Sequence, residues 1–261
     1  MLAEVLARGW VLLPASPAMD RWIEHARPAA AAALNDPAHE HWFRHGRSWF
    51  VGVHALDNDG MGAVRGGPPL AGPAVELLRT WLGDAMPPWD RGQVSVCFSG
   101  YPRPTAEETS ERFAYRLKRD AAHLDGLEAR GPQRRRFLDE PHAFLLGIPL
   151  VAVDAGMAPF VLWEGSHEIM RAALVRAFAG IDPLHWSTLD LTDIYHAARR
   201  LVFAECPRIE VTTKPGEAYL VHRLALHGMA PWSGESCDAA SRTIIYFRPP
   251  FADPADWLSR P

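Results

Sequence analysis

The chain has 261 residues, 48% of them hydrophobic and 22% charged, with a formal net charge of −4. This balance excludes a disordered chain and offers no basic footprint for nucleic acid, and the length suits one domain, 1–261, so the expected partner is a small-molecule substrate. Cys97, Cys206 and Cys237 are odd in number and widely spaced, which argues against a disulfide framework or zinc ribbon and for a reducing, cytoplasmic setting.

The apolar start, "MLAEVLARGWVLLP", lacks a basic leader, a small-residue cleavage site and the length of a membrane span, so no membrane association is expected. Residues 2 to 9 and 17 to 34 carry helical spacing, and the alanine run at 29 to 34 has high helix propensity. "SWFVGVHAL" at 48 to 56 predicts a strand, followed by turn-rich "DNDG" and the Gly/Pro loop at 65 to 73. "AVELLRTWLG" at 74 to 83 predicts a helix stopped by Gly83. Together, residues 1–92 form a helical and stranded cover.

Strands dominate from there. They are expected at 93 to 101, 143 to 153, 159 to 163, 208 to 213, 217 to 227 and 242 to 247, interrupted by helices at about 167 to 178 and 192 to 204. Short strands separated by Gly/Pro turns indicate a mostly β sandwich or jelly roll with flanking helices, its core at 93–250. If 217 to 227 is one continuous strand, Val221, Arg223, Ala225 and His227 share one face and His222, Leu224 and Leu226 the other.

Within this pattern, the triplet His123-Leu124-Asp125, the pair His227-Gly228 and Arg242 carry chemistry. Two imidazoles and one carboxylate suit a non-haem Fe(II) that keeps coordination positions open for a second substrate and O2. In extended backbone, His123 and Asp125 project from the same face, and the third ligand must come from a distant strand. Arg242, Ile244, Tyr246 and Arg248 alternate onto one face of the last strand. An arginine on an inward face is costly to bury unless a carboxylate partners it. Arg248 competes with Arg242 for that role, but it lies beside Pro249 and Pro250, where solvation is easier.

The runs "RDAAHLDGL" at 119 to 127, "APFVLWEGSHEIMR" at 158 to 171 and "KPGEAYLVHRLALHGMAPW" at 214 to 232, followed by "SRTIIYFRP" at 241 to 249, resemble the phytanoyl-CoA dioxygenase family of Fe(II)/2-oxoglutarate oxygenases. The resemblance spans about residues 94 to 250. It implies a double-stranded β-helix (a cupin-like jelly roll), with His123, Asp125 and His227 as iron ligands and Arg242 gripping the far carboxylate of 2-oxoglutarate. The family's "PGSH" turn is "EGSH" here, with Glu164 in place of proline, and His167 takes a structural role in that turn.

The implied activity is an Fe(II)-, 2-oxoglutarate- and O2-dependent dioxygenase that oxidises, foremost by hydroxylation, a C–H bond of a small organic molecule. The alternative is a catalytically silent jelly roll that binds a small ligand or metal; its chemistry gives no reason to keep all four residues. The cluster His39, His41 and His45 with Glu40 reads as a polar loop, since neither a strand nor a helix aims all four side chains at one point. The run Arg134 to Arg136 either holds an anionic substrate or solvates a loop. His222 is assigned to packing or to hydrogen bonding near the site.

Overall fold

Residues that alternate between two apolar environments build this fold, because both faces of its larger sheet are covered. The computed structural model describes residues 1–106, 108–234 and 240–261, and Cys237 lies outside them. Helix α1 (Leu2–Arg8) leads into β1 (Trp10–Leu13), α2 (Pro17–Asn35), the short strands β2 (Phe43–Arg44) and β3 (Trp49–Phe50), and α3 (Pro73–Leu82). Then come β4 (Gln93–Phe98), α4 (Ser110–Lys118), and the hairpin of β5 (Leu127–Arg130) and β6 (Arg135–Leu138). The remainder runs β7 (Phe144–Pro149), β8 (Phe160–Trp163), α5 (Ser166–Ala177), α6 (Thr192–Glu205), β9 (Arg208–Val211), β10 (Ala218–His222), β11 (His227–Met229), β12 (Ser241–Phe247) and α7 (Asp256–Ser259).

Seven strands form the major sheet in the order β1-β10-β7-β12-β4-β3-β2, and three form the minor sheet, β11-β8-β9. All of these pairings are antiparallel. Period-two alternation places Leu145, Tyr219, Val221, Ile244 and Tyr246 of the major sheet against Phe160, Leu162 and Val211 of the minor sheet. The intervening residues Leu146, Ile148, Leu220, Ile245 and Phe247 face the helical layer. A sheet covered on both sides reads as nearly continuous apolar sequence, which is why these strands were legible as runs. The result is a jelly roll whose chain passes repeatedly between sheets.

Helix α2 supplies much of the outer cover. Ser16 caps it by accepting from the Met19 N–H at 3.2 Å, and Pro17 opens the first turn. Met19, Trp22, Ile23, Ala26, Ala30 and Ala33 recur at helical spacing and are buried. Helix α3 ends at Gly83, whose φ of 54° lies in the left-handed region.

Four expectations need correction. The apolar tetrapeptide of β1 pairs with β10 as an edge of the major sheet; four residues continuous with a helical pattern carried no separate signal. The strand expected at 48 to 56 is only Trp49–Phe50. Beyond it, a Cβ on Gly52 would stand 2.7 Å from the Val94 carbonyl oxygen, so the backbones approach too closely for an ordinary strand. Helix α4 arises within 101 to 120, where no helix is expected; Thr109 caps it by accepting from the Arg112 N–H at 3.4 Å.

The single strand expected at 217 to 227 is two strands. The chain turns at 223 to 226 and passes from the major to the minor sheet, so a face-parity argument carried from Val221 to His227 does not apply. Arg223 sits at this corner and donates to the carbonyls of Trp257 (2.8 Å), Arg260 (2.5 Å) and Pro261 (3.2 Å), tying down the C-terminal segment.

Candidate metal and co-substrate site

His123 and His227 exchange backbone hydrogen bonds, His123 N–H to His227 O at 2.8 Å and His227 N–H to His123 O at 3.0 Å. This bridge sets the two rings side by side, with centroids 4.6 Å apart. Asp125 follows two residues later and turns its carboxylate toward both rings, Oδ1 lying 3.3 Å from His123 Nε2 and Oδ2 3.5 Å from His227 Nε2. The three donor groups lie within 4.8 Å of one another, and among the described residues no other group of three His, Cys, Asp or Glu side chains meets that condition.

The histidine tautomers follow from their partners. His123 Nδ1 is 3.0 Å from the Ala121 carbonyl and His227 Nδ1 is 2.9 Å from the Ala225 carbonyl. A carbonyl only accepts, so each Nδ1 carries the proton and each Nε2 presents a lone pair to the shared point. Burial by itself would raise the pKa of Asp125. The Arg248 guanidinium, 3.3 Å from Oδ1, leads the effects that outweigh it and hold the carboxyl well below its usual value. Two imidazole lone pairs and one anionic oxygen fit a divalent transition-metal ion.

Neighbouring glycines allow this geometry. A Cβ on Gly228 would stand 2.1 Å from the Asp120 carbonyl oxygen, and one on Gly126, where φ is 81°, would stand 2.1 Å from the Glu140 carbonyl oxygen. The residues that follow Asp125 and His227 must therefore lack a side chain.

Arg242 lies in the same cavity, which measures about 410 Å³ and also includes Trp49, Gln93, Ser95, Leu145, Phe160 and Tyr246. Its side chain is buried. Nη1 donates to the Ala158 carbonyl at 2.9 Å and contacts Met229 Sδ at 2.6 Å, while Nη2 donates to Tyr246 Oη at 2.9 Å. Tyr219 in turn donates to Tyr246 at 2.9 Å. Gly147 makes room for this pair, since a Cβ there would stand 2.2 Å from the Tyr219 ring. Among the described residues no carboxylate lies within 4.0 Å of Arg242, so a buried guanidinium faces the cavity without an anionic partner.

The structure sorts the other sequence candidates. Arg136 lines the cavity, with Nη1 donating to the Leu127 carbonyl at 3.0 Å, whereas Arg135 pairs with Asp190 outside it and Arg134 occupies the hairpin turn at a φ of 52°. His39 and His41 bind the carbonyls of Ala33 and Ala38, and Glu40 pairs with Arg47, so this cluster does not converge. His45 stacks on Trp49 beside the cavity, and its pKa is lowered to about 4 by burial and then by Arg116.

His222 is buried, accepts the Leu224 N–H at Nδ1 and packs against Trp81 and His167. His167 reaches the Leu6 carbonyl at 3.0 Å. Glu164 accepts from Arg8 Nε and Trp10 Nε1, both at 2.8 Å. Glu164 in the turn thus fastens the N-terminal segment over it.

Two charged or titratable residues beside the candidate ligands stand out among those not assigned to the site from sequence. Arg248 pairs with Asp125 at 3.3 Å, and His142 lies buried beside Glu140. The signal for Arg248 was present: Arg242 and Arg248 fall on the same alternation, so both can face the site.

No known protein-family profile matches the chain, and no curated protein matches it in sequence. Solved structures do match. The non-heme alpha ketoglutarate dependent carbocyclase SnoK from nogalamycin biosynthesis superposes with a TM-score of 0.50 at 14% identity, covering 95% of this chain and 82% of that one. EctD from S. alaskensis with bound Fe gives 0.51 at 15% identity, covering 95% and 74%. The shared feature is the fold. It is a jelly roll with flanking helices, including the N-terminal elements that the sequence resemblance did not reach. Among the described residues, no helix is long and apolar enough to cross a membrane.

Proposed function

We propose that this chain is an Fe(II)- and 2-oxoglutarate-dependent dioxygenase of the phytanoyl-CoA dioxygenase-like kind, hydroxylating a C–H bond of a small organic molecule. One observation carries the reading. His123 Nε2, His227 Nε2 and the Asp125 carboxylate converge in a single cavity with a buried arginine that has no carboxylate partner among the described residues. The two structural relatives, one alpha ketoglutarate dependent and one with bound Fe, support the same choice of metal and co-substrate.

His123, Asp125 and His227 would hold the iron. When bound, that ion supplies the activation of O2 coupled to decarboxylation of 2-oxoglutarate to succinate and CO2. The chain's own residues do the positioning. The Ala121 and Ala225 carbonyls each hold a ring Nδ1 and so turn both Nε2 atoms toward the metal position. Arg242 offers its guanidinium to the distal carboxylate of the co-substrate, and Tyr246, braced by Tyr219, aims it. Trp49, Leu145 and Phe160 exclude water from the reacting centre. A volume of about 410 Å³ is at the small end of ligand cavities, which favours a compact substrate.

In this reading residues 1–261 act as one cytoplasmic domain, with 93–250 carrying the site and 1–92 covering the major sheet.

Anaerobic titration tests the proposal. The protein should bind about one equivalent of Fe(II), and addition of 2-oxoglutarate should develop a weak visible charge-transfer band, because the keto acid chelates the metal. Succinate should then form in air. Absence of that band and of succinate in metal-loaded, folded protein favours the silent jelly roll.

A further inference from the structure

Arg248 stands just beyond β12, on the same side as Arg242, but the two guanidinium groups have different tasks. Arg242 points to Ala158, Met229 and Tyr246. Arg248 Nη1 instead lies 3.3 Å from Asp125 Oδ1, with its side chain only 23% exposed. The base of this residue is also held: its N–H faces both oxygens of Asp90 at 3.3 and 3.4 Å, and the following Pro249 carbonyl accepts from Ala143 at 2.8 Å. The ion pair is therefore anchored at the backbone.

Its consequence follows from coordination arithmetic. Two histidines and a carboxylate bound through one oxygen leave three positions on a six-coordinate ion. A chelating keto acid would take two of them, and O2 would need the third. A carboxylate bound through both oxygens would occupy that last position. A guanidinium on one carboxylate oxygen opposes this, since it competes for the lone pairs of that oxygen and repels a cation approaching it.

We infer that Arg248 is a positioning residue that holds one oxygen of Asp125 and thereby restricts this carboxylate to one-oxygen ligation of the metal. The inference rests on the proposed iron site. A fixed positive charge beside the anionic ligand also repels a trivalent ion more than a divalent one, so Arg248 favours the ferrous form.

The test compares the full-length chain with Arg248→Met and Arg248→Lys, using Co(II) as an anaerobic spectroscopic probe and the iron form for its Fe(III)/Fe(II) midpoint potential. Arg248→Met should tighten Co(II) binding, since it removes both the competitor for the Asp125 oxygen and the charge that repels the cation. It should also alter the visible Co(II) spectrum and move the midpoint potential in the negative direction. Arg248→Lys should keep the potential near that of the unmutated protein while its spectrum still changes, because a point charge does not reproduce the planar fork. Should Arg248→Met fail to fold, Arg248→Gln removes the charge while keeping a donor and carries the same measurements. Superimposable Co(II) spectra and an unchanged potential overturn the role of Arg248 while leaving the iron site standing. Failure of the unmutated, folded protein to bind Co(II) or Fe(II) removes the site itself, and this inference with it.

Discussion

Arg208 and Asp120 form a two-point ion pair, Nε to Oδ2 at 2.7 Å and Nη2 to Oδ1 at 2.8 Å, that joins the first residue of β9 to the loop carrying His123. The Asp120 carbonyl also accepts the Met229 N–H at 2.8 Å. One residue thereby connects the loop with the candidate ligand His123 to both outer strands of the minor sheet, β9 and β11.

Asp120 is 3% exposed whereas the Arg208 side chain is 39% exposed. Arg208→Ala therefore leaves a buried carboxylate with no ionic partner, and stability should fall by about 1–3 kcal/mol, below the full cost for a pair buried on both sides. Asp120→Asn in the Arg208→Ala background should recover part of that loss, because the uncompensated charge is gone, and asparagine tolerates the φ of 53° at this position. Urea unfolding of the two variants decides it. A loss under about 0.5 kcal/mol in Arg208→Ala means that the pair has no structural weight.

Co-substrate and metal binding should separate by residue. Arg242→Ala should weaken 2-oxoglutarate binding by about 2–5 kcal/mol, the range for truncating one member of a buried charge pair, and leave Fe(II) affinity nearly intact. His227→Ala should abolish Fe(II) binding. His222→Gln should retain it, since that imidazole contacts Leu224, Trp81 and His167 and takes no part in the convergent group. Calorimetric titration of all three reads the pattern, and loss of metal in His222→Gln alone would reverse the assignment of the third ligand.

Acid should destabilise the metal-free protein before its carboxylates protonate. Burial holds the pKa of His222 well below 6.5, with Arg223 adding to the effect, and burial also lowers His167. For His45 the value falls to about 4. Below pH 6.5 the unfolded chain takes up protons that these folded-state imidazoles do not, so stability is full above that pH and falls as the pH drops toward the folded values. Urea midpoints should therefore decline from pH 7.5 to 5.5, and His222→Gln should show a shallower decline. Stability that rises over this interval, or an equal slope in the variant, contradicts the account.

How far the sequence reached depended on the length scale of each signal. Helices α3, α5 and α6 were legible because apolar spacing is local, as is the glycine that stops α3. The strands of the double-covered sheet were legible as apolar runs; their number and punctuation gave a sandwich or jelly roll, and the resemblance implied the double-stranded β-helix form. The identities His123, Asp125, His227 and Arg242 were readable as a chemical set because few functions require those residue types together. Their meeting point was not readable, because a backbone bridge between residues 123 and 227 closes over more than a hundred intervening positions.

Sequence by itself determined which side chains are available and which faces they occupy within each short element. Tertiary structure alone decided the corner at 223 to 226, which breaks the face parity between His222 and His227, and the close approaches that require Gly126 and Gly228. It also decided that Arg248 turns inward. The residue lies beside prolines that suggest an exposed strand end, yet Asp90 holds its backbone and Asp125 meets its guanidinium. Both carboxylates come from segments far away in the chain. Local pattern records the propensity of an arginine to be solvated, and only the packed fold supplies the buried charge that reverses it.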